Sequence, residues 1–207
     1  MRMHILDMYE GRDLGVPDKS LGVRITTGEG GITLDQQLYA ERIIAKGMGS
    51  VDLLTAHTPL GPGMDLSPRE EHEEELDPSR FPYVTILGRL MFLAGMTRPD
   101  LSNSVRELGR RAASPCMTHW RGLQQVLRYL SATLDVCLHY SKGTETNDDN
   151  HQLLIGYSDS DWADDMESRR SVTGYLFLFD NSPIVWRSKL QGMVTLSSSE
   201  AEWTAMV

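Results

Sequence analysis

The chain has 207 residues, 40% of them hydrophobic and 24% charged, with a formal net charge of −9. These are globular values with room for one large or two small domains, and they exclude a disordered chain. No apolar run approaches the roughly 20 residues of a membrane helix, and the acidic total excludes strong, non-specific nucleic-acid binding by the whole surface.

The opening, residues 1–15, carries no element start, and Asp7, Glu10 and Asp13 break up any signal-peptide core. The expectation is an intracellular chain, not secreted and without a membrane partner, that reads as a fragment of a longer pattern. Cys116 and Cys137 follow no metal-ligand spacing and fit plain thiols of a reducing compartment. Apolar alternation over 20–26 predicts a strand, the glycine-rich 28–31 a tight turn, and 32–34 a returning strand. This hairpin explains the glycines without a phosphate cradle, because no Lys-Ser/Thr follows them. Thr33 or Asp35 can cap a helix over 36–46 with Leu38, Ile43 and Ile44 on its apolar face. Residues 50–80 contain Pro59, Pro62, Pro68 and Pro78 and an acidic run at 70–75, and read as a linker or long loop with solvated charges.

Three helices are predicted next, over 83–96, 101–113 and 119–134. The first is rich in Ile86, Leu87, Leu90, Met91 and Leu93. The second puts Leu101, Val105 and Leu108 inward and Arg106, Arg110 and Arg111 toward solvent. The third is capped by Thr118 and carries the stripe Trp120, Leu123, Val126, Leu127 and Leu130. Between 98 and 142 there are seven Lys/Arg against three Asp/Glu, flanked by acidic stretches at 67–80 and 145–170. Arg98, Arg106, Arg110, Arg111, Arg121 and Arg128 could contact phosphates, or could be ordinary solvated helix surface. A short strand over 136–140 follows, and the polar spacer 143–150 is the predicted domain boundary.

Beyond the spacer, strands over 151–157, 171–179 and 183–188 are joined by short loops and followed by a helix start near 197–199. Three antiparallel strands and a helix make an α+β opening. The first strand delivers Asp159 and Asp161 into a polar turn, and the helix carries Glu200 and Glu202. A strand-end carboxylate and a helix carboxylate two strands later are a way to build a metal-binding acidic pair. Asp161, Asp164 and Asp165 fit a solvated turn.

TRPDLSNSV at 97–105, VLRYL at 126–130, CLHY at 137–140, GYSDSDWADD at 156–165, RRSVTGY at 169–175 and LSSSEAE at 196–202 occur together in this order. With RDLG at 12–15 and ITLDQQLYAERI at 32–43, the chain resembles the C-terminal part of the Pol polyprotein of copia-type LTR retrotransposons. The resemblance implies an α+β fold. Residues 1–142 would hold the palm end, thumb and connection of the reverse transcriptase, with the N-terminal hairpin and the acidic linker at about 50–80. Residues 151–207 would hold a truncated ribonuclease H-like mixed sheet with its first helix. It implies RNA-directed DNA synthesis and RNA–DNA hybrid cleavage for the parent, whose partners are the hybrid or the template–primer duplex. By motif, Asp159 corresponds to the first metal-binding acid and Glu202 to the second, with Glu200 as second choice. The polymerase Asp-Asp turn is absent, and the later aspartates are expected beyond Val207. The implied cofactor is Mg²⁺, held weakly or not at all by this chain alone, because two ions need more than two carboxylates. The alternative is a non-catalytic nucleic-acid-binding module that uses the basic helices at 98–142.

Overall fold

The computed structural model describes residue 12 and residues 15–48, 55–61, 63–142, 153–165 and 167–207. The predicted boundary at 143–150 lies outside the described residues, as does most of 1–15.

Strands β1 (Lys19–Ser20), β2 (Val23–Gly28), β3 (Gly31–Asp35) and β4 (Leu138–Ser141) form one antiparallel sheet in that order. The predicted first strand is split by a turn at Leu21 and Gly22, whose φ angles are 48° and 82°. β2 and β3 form the predicted hairpin, closing on the pair Gly28 and Gly31. Gly31 has φ 138°, and a Cβ there would lie 2.1 Å from the carbonyl oxygen of Tyr140. Glycine is therefore what lets β4 return to β3 from a hundred residues away.

Four helices pack beside this sheet: α1 (Gln37–Met48), α2 (Tyr83–Met96), α3 (Ser102–Gly109) and α4 (Met117–Ala132), with a 3₁₀ turn at Pro99–Leu101. Their shared core includes Ile43, Ile86, Leu90, Leu93, Leu101, Leu108, Leu123, Leu127 and Leu130. Tyr83 is buried within it and donates its hydroxyl to Leu108 O at 2.8 Å. The α2 boundaries match the reading from sequence. Several details differ. Leu38 and Met91 lie outside the core, because α1 turns Ala40, Ile43, Ile44 and Met48 inward and α2 turns Ile86, Leu87, Leu90 and Leu93 inward. The second helix stops at Gly109. The third is capped by Cys116 rather than Thr118: the Cys116 N–H donates to Nδ1 of His119, whose Nε2 bonds Ser67 O. Among the described residues of 55–80 there is no helix or strand, yet the segment is not a free linker. Leu76 is buried, Leu60 and Leu66 pack on the core, and Leu76 N donates to Pro115 O. Its carboxylates at 70, 71, 74 and 75 point to solvent.

The second sheet holds β5 (Leu154–Asp161), β6 (Val172–Phe179) and β7 (Ser182–Leu190), antiparallel and in that order. Asp180 and Asn181, both at positive φ, make the tight β6–β7 turn. Helix α5 (Ser198–Met206) begins with a reciprocal cap, in which Ser197 Oγ accepts from Glu200 N and Glu200 Oε2 accepts from Leu196 N. The whole is α+β, as expected from sequence. The two sheets meet where Tyr140 OH donates to Pro183 O at 2.7 Å and Ser182 Oγ donates to His139 O at 3.0 Å. Trp186 of β7 then reaches α2, donating Nε1–H to Ala94 O at 2.8 Å.

Candidate functional site

Alternation along β5 sends Asp159 and Asp161 to one face of the second sheet and Ser158 and Ser160 to the other. Asp159 sits opposite Gly174, which continues to Ser188 on β7. That face turns toward the helices, since Ser188 Oγ accepts from Arg106 Nε of α3 at 3.1 Å. Between them lies a cleft of about 760 Å³ whose lining includes Asn103, Arg106, Asp159, Asp161, Asp164 and Trp186. The carboxyl of Asp161 is pushed above its usual range, first by burial and then by Asp164 and Asp159. Three carboxylates therefore feel one another at the end of β5.

Glu202 arrives from the opposite side. Gln191 holds α5 against the other face of the sheet, donating to both Thr173 Oγ1 and Ala201 O. From there Glu202 Oε1 accepts from Ser160 N at 3.4 Å, along the edge of β5 that no strand covers among the described residues. The two predicted metal ligands thus approach the same strand end from opposite faces of the sheet, Asp159 from the helix-facing side and Glu202 from the α5 side. Glu200 is not part of this arrangement, because its carboxylate caps its own helix. Carboxylate oxygens are the right donor class for Mg²⁺. Among the described residues, however, no three His, Cys, Asp or Glu side chains are grouped to hold a metal ion. The donor type fits Mg²⁺, and the arrangement does not fit a two-ion centre.

The six arginines divide sharply. Arg98 is not a surface residue: it is 3% exposed, forks onto Asp100 through Nε and Nη2, and donates to Thr133 O and Thr133 Oγ1. It joins the turn after α2 to the end of α4 and is out of reach of a phosphate. Arg106, Arg110 and Arg111 do not face open solvent either. Arg106 pairs with Glu107 and lies 3.9 Å from Asp164. Arg110 pairs with Glu107 and Asp165, and Arg111 with Glu167 while donating to Leu66 O. Arg121 is exposed on α4, and Arg128 is half-buried with its Nε unpartnered.

Asp165 corrects the reading of a solvated turn. It is 2% exposed and organises the β5–β6 loop, accepting from Ser168 Oγ and from Glu167 N at 3.1 Å. Burial raises its pKa, but the bonds from Ser168 and Glu167 and the charge of Arg110 outweigh that and hold the carboxyl below its usual range. The ion pairs between the α3 arginines and this loop were missed from sequence. Their signal was there, in a basic stretch at 98–142 followed by an acidic one at 145–170.

Comparison with known proteins agrees with the motifs. The chain is 34% identical over 202 residues to the Pol polyprotein of transposon TNT 1-94 of Nicotiana tabacum, covering 95% of this chain and 15% of that protein. It is 36% identical over 187 residues to the Pol polyprotein of transposon RE2 of Arabidopsis thaliana, covering 90% of this chain and 12% of that protein. The chain belongs to the copia-type retrotransposon Pol polyproteins. This Pol segment spans only a small part of those two relatives. It is also 45% identical over 125 residues to the secreted RxLR effector protein 161 of Plasmopara viticola, covering 60% of this chain and 84% of that protein. No family model and no solved structure matches it. No described helix of this Pol segment is long and apolar enough to cross a membrane.

Proposed function

We propose that this segment spans the junction of reverse transcriptase and ribonuclease H in a copia-type Pol polyprotein. In this reading, residues up to 142 are the end of the polymerase region. Residues from 151 supply the first two acidic ligands of the hybrid-cleaving site. The observation that carries the reading is that β5 and α5 bring the motif residues Asp159 and Glu202 near the same end of β5. When bound, Mg²⁺ would activate water and stabilise the leaving oxygen. Asp159 and Glu202 would hold it, with Asp161 and Asp164 adding negative charge beside them. Two ligands leave a second ion poorly held, so the segment by itself is expected not to cleave RNA and depends on the rest of the polyprotein. The parent's partner is then an RNA–DNA hybrid or template–primer duplex, met inside the cell.

The test is a chimera in which this segment replaces the matching 202 residues of the tobacco polyprotein. Cleavage of the RNA strand that needs Mg²⁺ and is lost on Asp159→Asn and on Glu202→Gln supports the reading. A chimera whose cleavage ignores both substitutions overturns it. The alternative, a binding module built on the basic helices, draws less support. Arg98 is internal and Arg106, Arg110 and Arg111 are already paired, which leaves Arg121 and Arg128 for phosphates.

A further inference from the structure

The arginine row of α3 and the loop after β5 form an arrangement that the proposed function does not require. Arg106, Arg110 and Arg111 lie along one side of α3 and its C-terminal turn. The loop at 162–170 answers them in the same order: Asp164 lies near Arg106, Asp165 meets Arg110, and Glu167 meets Arg110 and Arg111. With Glu107 from α3 itself, four carboxylates face three guanidinium groups. The loop is built for this presentation. Asp165 N donates to Arg170 O, Arg169 N donates to Asp165 O, and Ala163 and Arg169 adopt positive φ. Non-glycine residues hold that conformation only where surrounding bonds impose it. Spaced carboxylates held against a row of arginines reproduce the charge pattern of a nucleic-acid backbone, whose phosphates take the same charge-assisted bonds.

The contacts are graded. Asp165 is sealed against Arg110, with 3% of its side chain exposed, whereas the side chains of Glu167 and Asp164 are 47% and 41% exposed. The 3.9 Å separation of Arg106 and Asp164 is the longest of these contacts, and both residues line the cleft that holds Asp159.

We propose that the loop at 162–170 is an intrachain phosphate mimic that masks Arg106, Arg110 and Arg111, and that a nucleic-acid backbone engages this row by displacing Asp164 and Glu167. The inference rests on the reading of the cleft as a hybrid-binding site. It adds that access to the neighbouring arginines is regulated by the chain itself.

The test uses the full 207-residue chain and a short RNA–DNA hybrid, with dissociation constants measured over a series of salt concentrations. Asp164→Asn/Glu167→Gln removes the two exposed carboxylates and leaves Asp165 to keep the loop folded. Glu71→Gln/Glu74→Gln removes the same charge from an exposed run outside the cleft. The loop variant should bind about tenfold tighter than the parent chain, an ordinary coupling between two charged sites, and the control variant should change little. Adding Arg111→Ala to the loop variant should abolish the gain. Hydrogen exchange at 162–170 in the unmodified chain should speed up when hybrid is added. Equal gains in the loop and control variants overturn the proposal, as does a gain that survives Arg111→Ala, or binding that leaves exchange at 162–170 unchanged. In those three cases the mask falls while the hybrid still binds, and the reading of the cleft is left to the chimera. No binding by any variant overturns the mask, and the polyprotein chimera then decides the cleft separately.

Discussion

Arg98→Met separates an internal strut from a phosphate ligand. The guanidinium makes three bonds to Asp100 and two to Thr133, and its charge lies 5.7 Å from the centre of the Tyr129 ring. Methionine fills much of the volume but removes every donor. Breaking a buried charge pair costs about 3–5 kcal/mol when one partner is left behind. Asp100 is 29% exposed and regains some water, which places the pair near the lower end. The lost contact with Tyr129 adds about 0.5–1 kcal/mol. The expected loss of stability is therefore about 3–4 kcal/mol. Urea unfolding followed by circular dichroism measures it, and coincidence with tryptophan fluorescence checks that the transition is cooperative. A loss below about 1 kcal/mol, together with weakened hybrid binding by the folded variant, would refute the strut and restore Arg98 as a surface contact.

Gly31→Ala should destabilise the first sheet by at least about 1 kcal/mol, because its Cβ collides with the backbone at Tyr140. Hydrogen exchange should show β4 peeling away first, and unchanged protection at 138–141 would contradict this. Trp186→Phe removes the bond to Ala94 O and should cost about 1 kcal/mol, with faster exchange in β7 as its signature. The two perturbed aspartates predict opposite acid behaviour. Asp165 has a depressed folded-state pKa, so its stabilising contribution is present above the unfolded carboxyl value and disappears as pH falls through the folded one. The stability gap between the parent chain and Asp165→Asn should accordingly close in acid. Asp161 has a raised pKa, so its ionised form weighs against folding above the unfolded value, and Asp161→Asn should stabilise at neutral pH with the gain fading as pH falls below the unfolded carboxyl value. Denaturant titrations at pH 7 and in acid check both signs.

Much of this architecture was legible in the residues. The apolar stripes of α2 and α4 are strong enough to give their cores directly, and the glycines at 28, 30 and 31 give the hairpin. Asp159 and Glu202 were singled out by their motifs, and the fold puts them near the same end of β5 on opposite faces of the sheet. What escaped was long-range. The pairing of β4 with β3 joins residues more than a hundred apart, and nothing local in CLHY specifies that partner. Arginine on an amphipathic helix reads as solvated by default. Only the arrival of a second unit turns Arg110 and Arg111 into partners of Asp165 and Glu167. Arg98 was misread for the same reason, since its acceptor at Thr133 belongs to the end of another helix. Asp165 was taken for a turn residue because its neighbours Asp164 and Glu167 are exposed and only the folded loop encloses it.

The proposal that this Pol segment supplies two ligands of a hybrid-cleaving centre, and needs further ligands to act, has a direct test. The most direct measurement incubates the 207-residue chain with a labelled RNA–DNA hybrid and Mg²⁺ and follows the RNA strand. The account predicts no cleavage above an enzyme-free control. Mg²⁺-dependent cleavage that disappears with Asp159→Asn and with Glu202→Gln would contradict it.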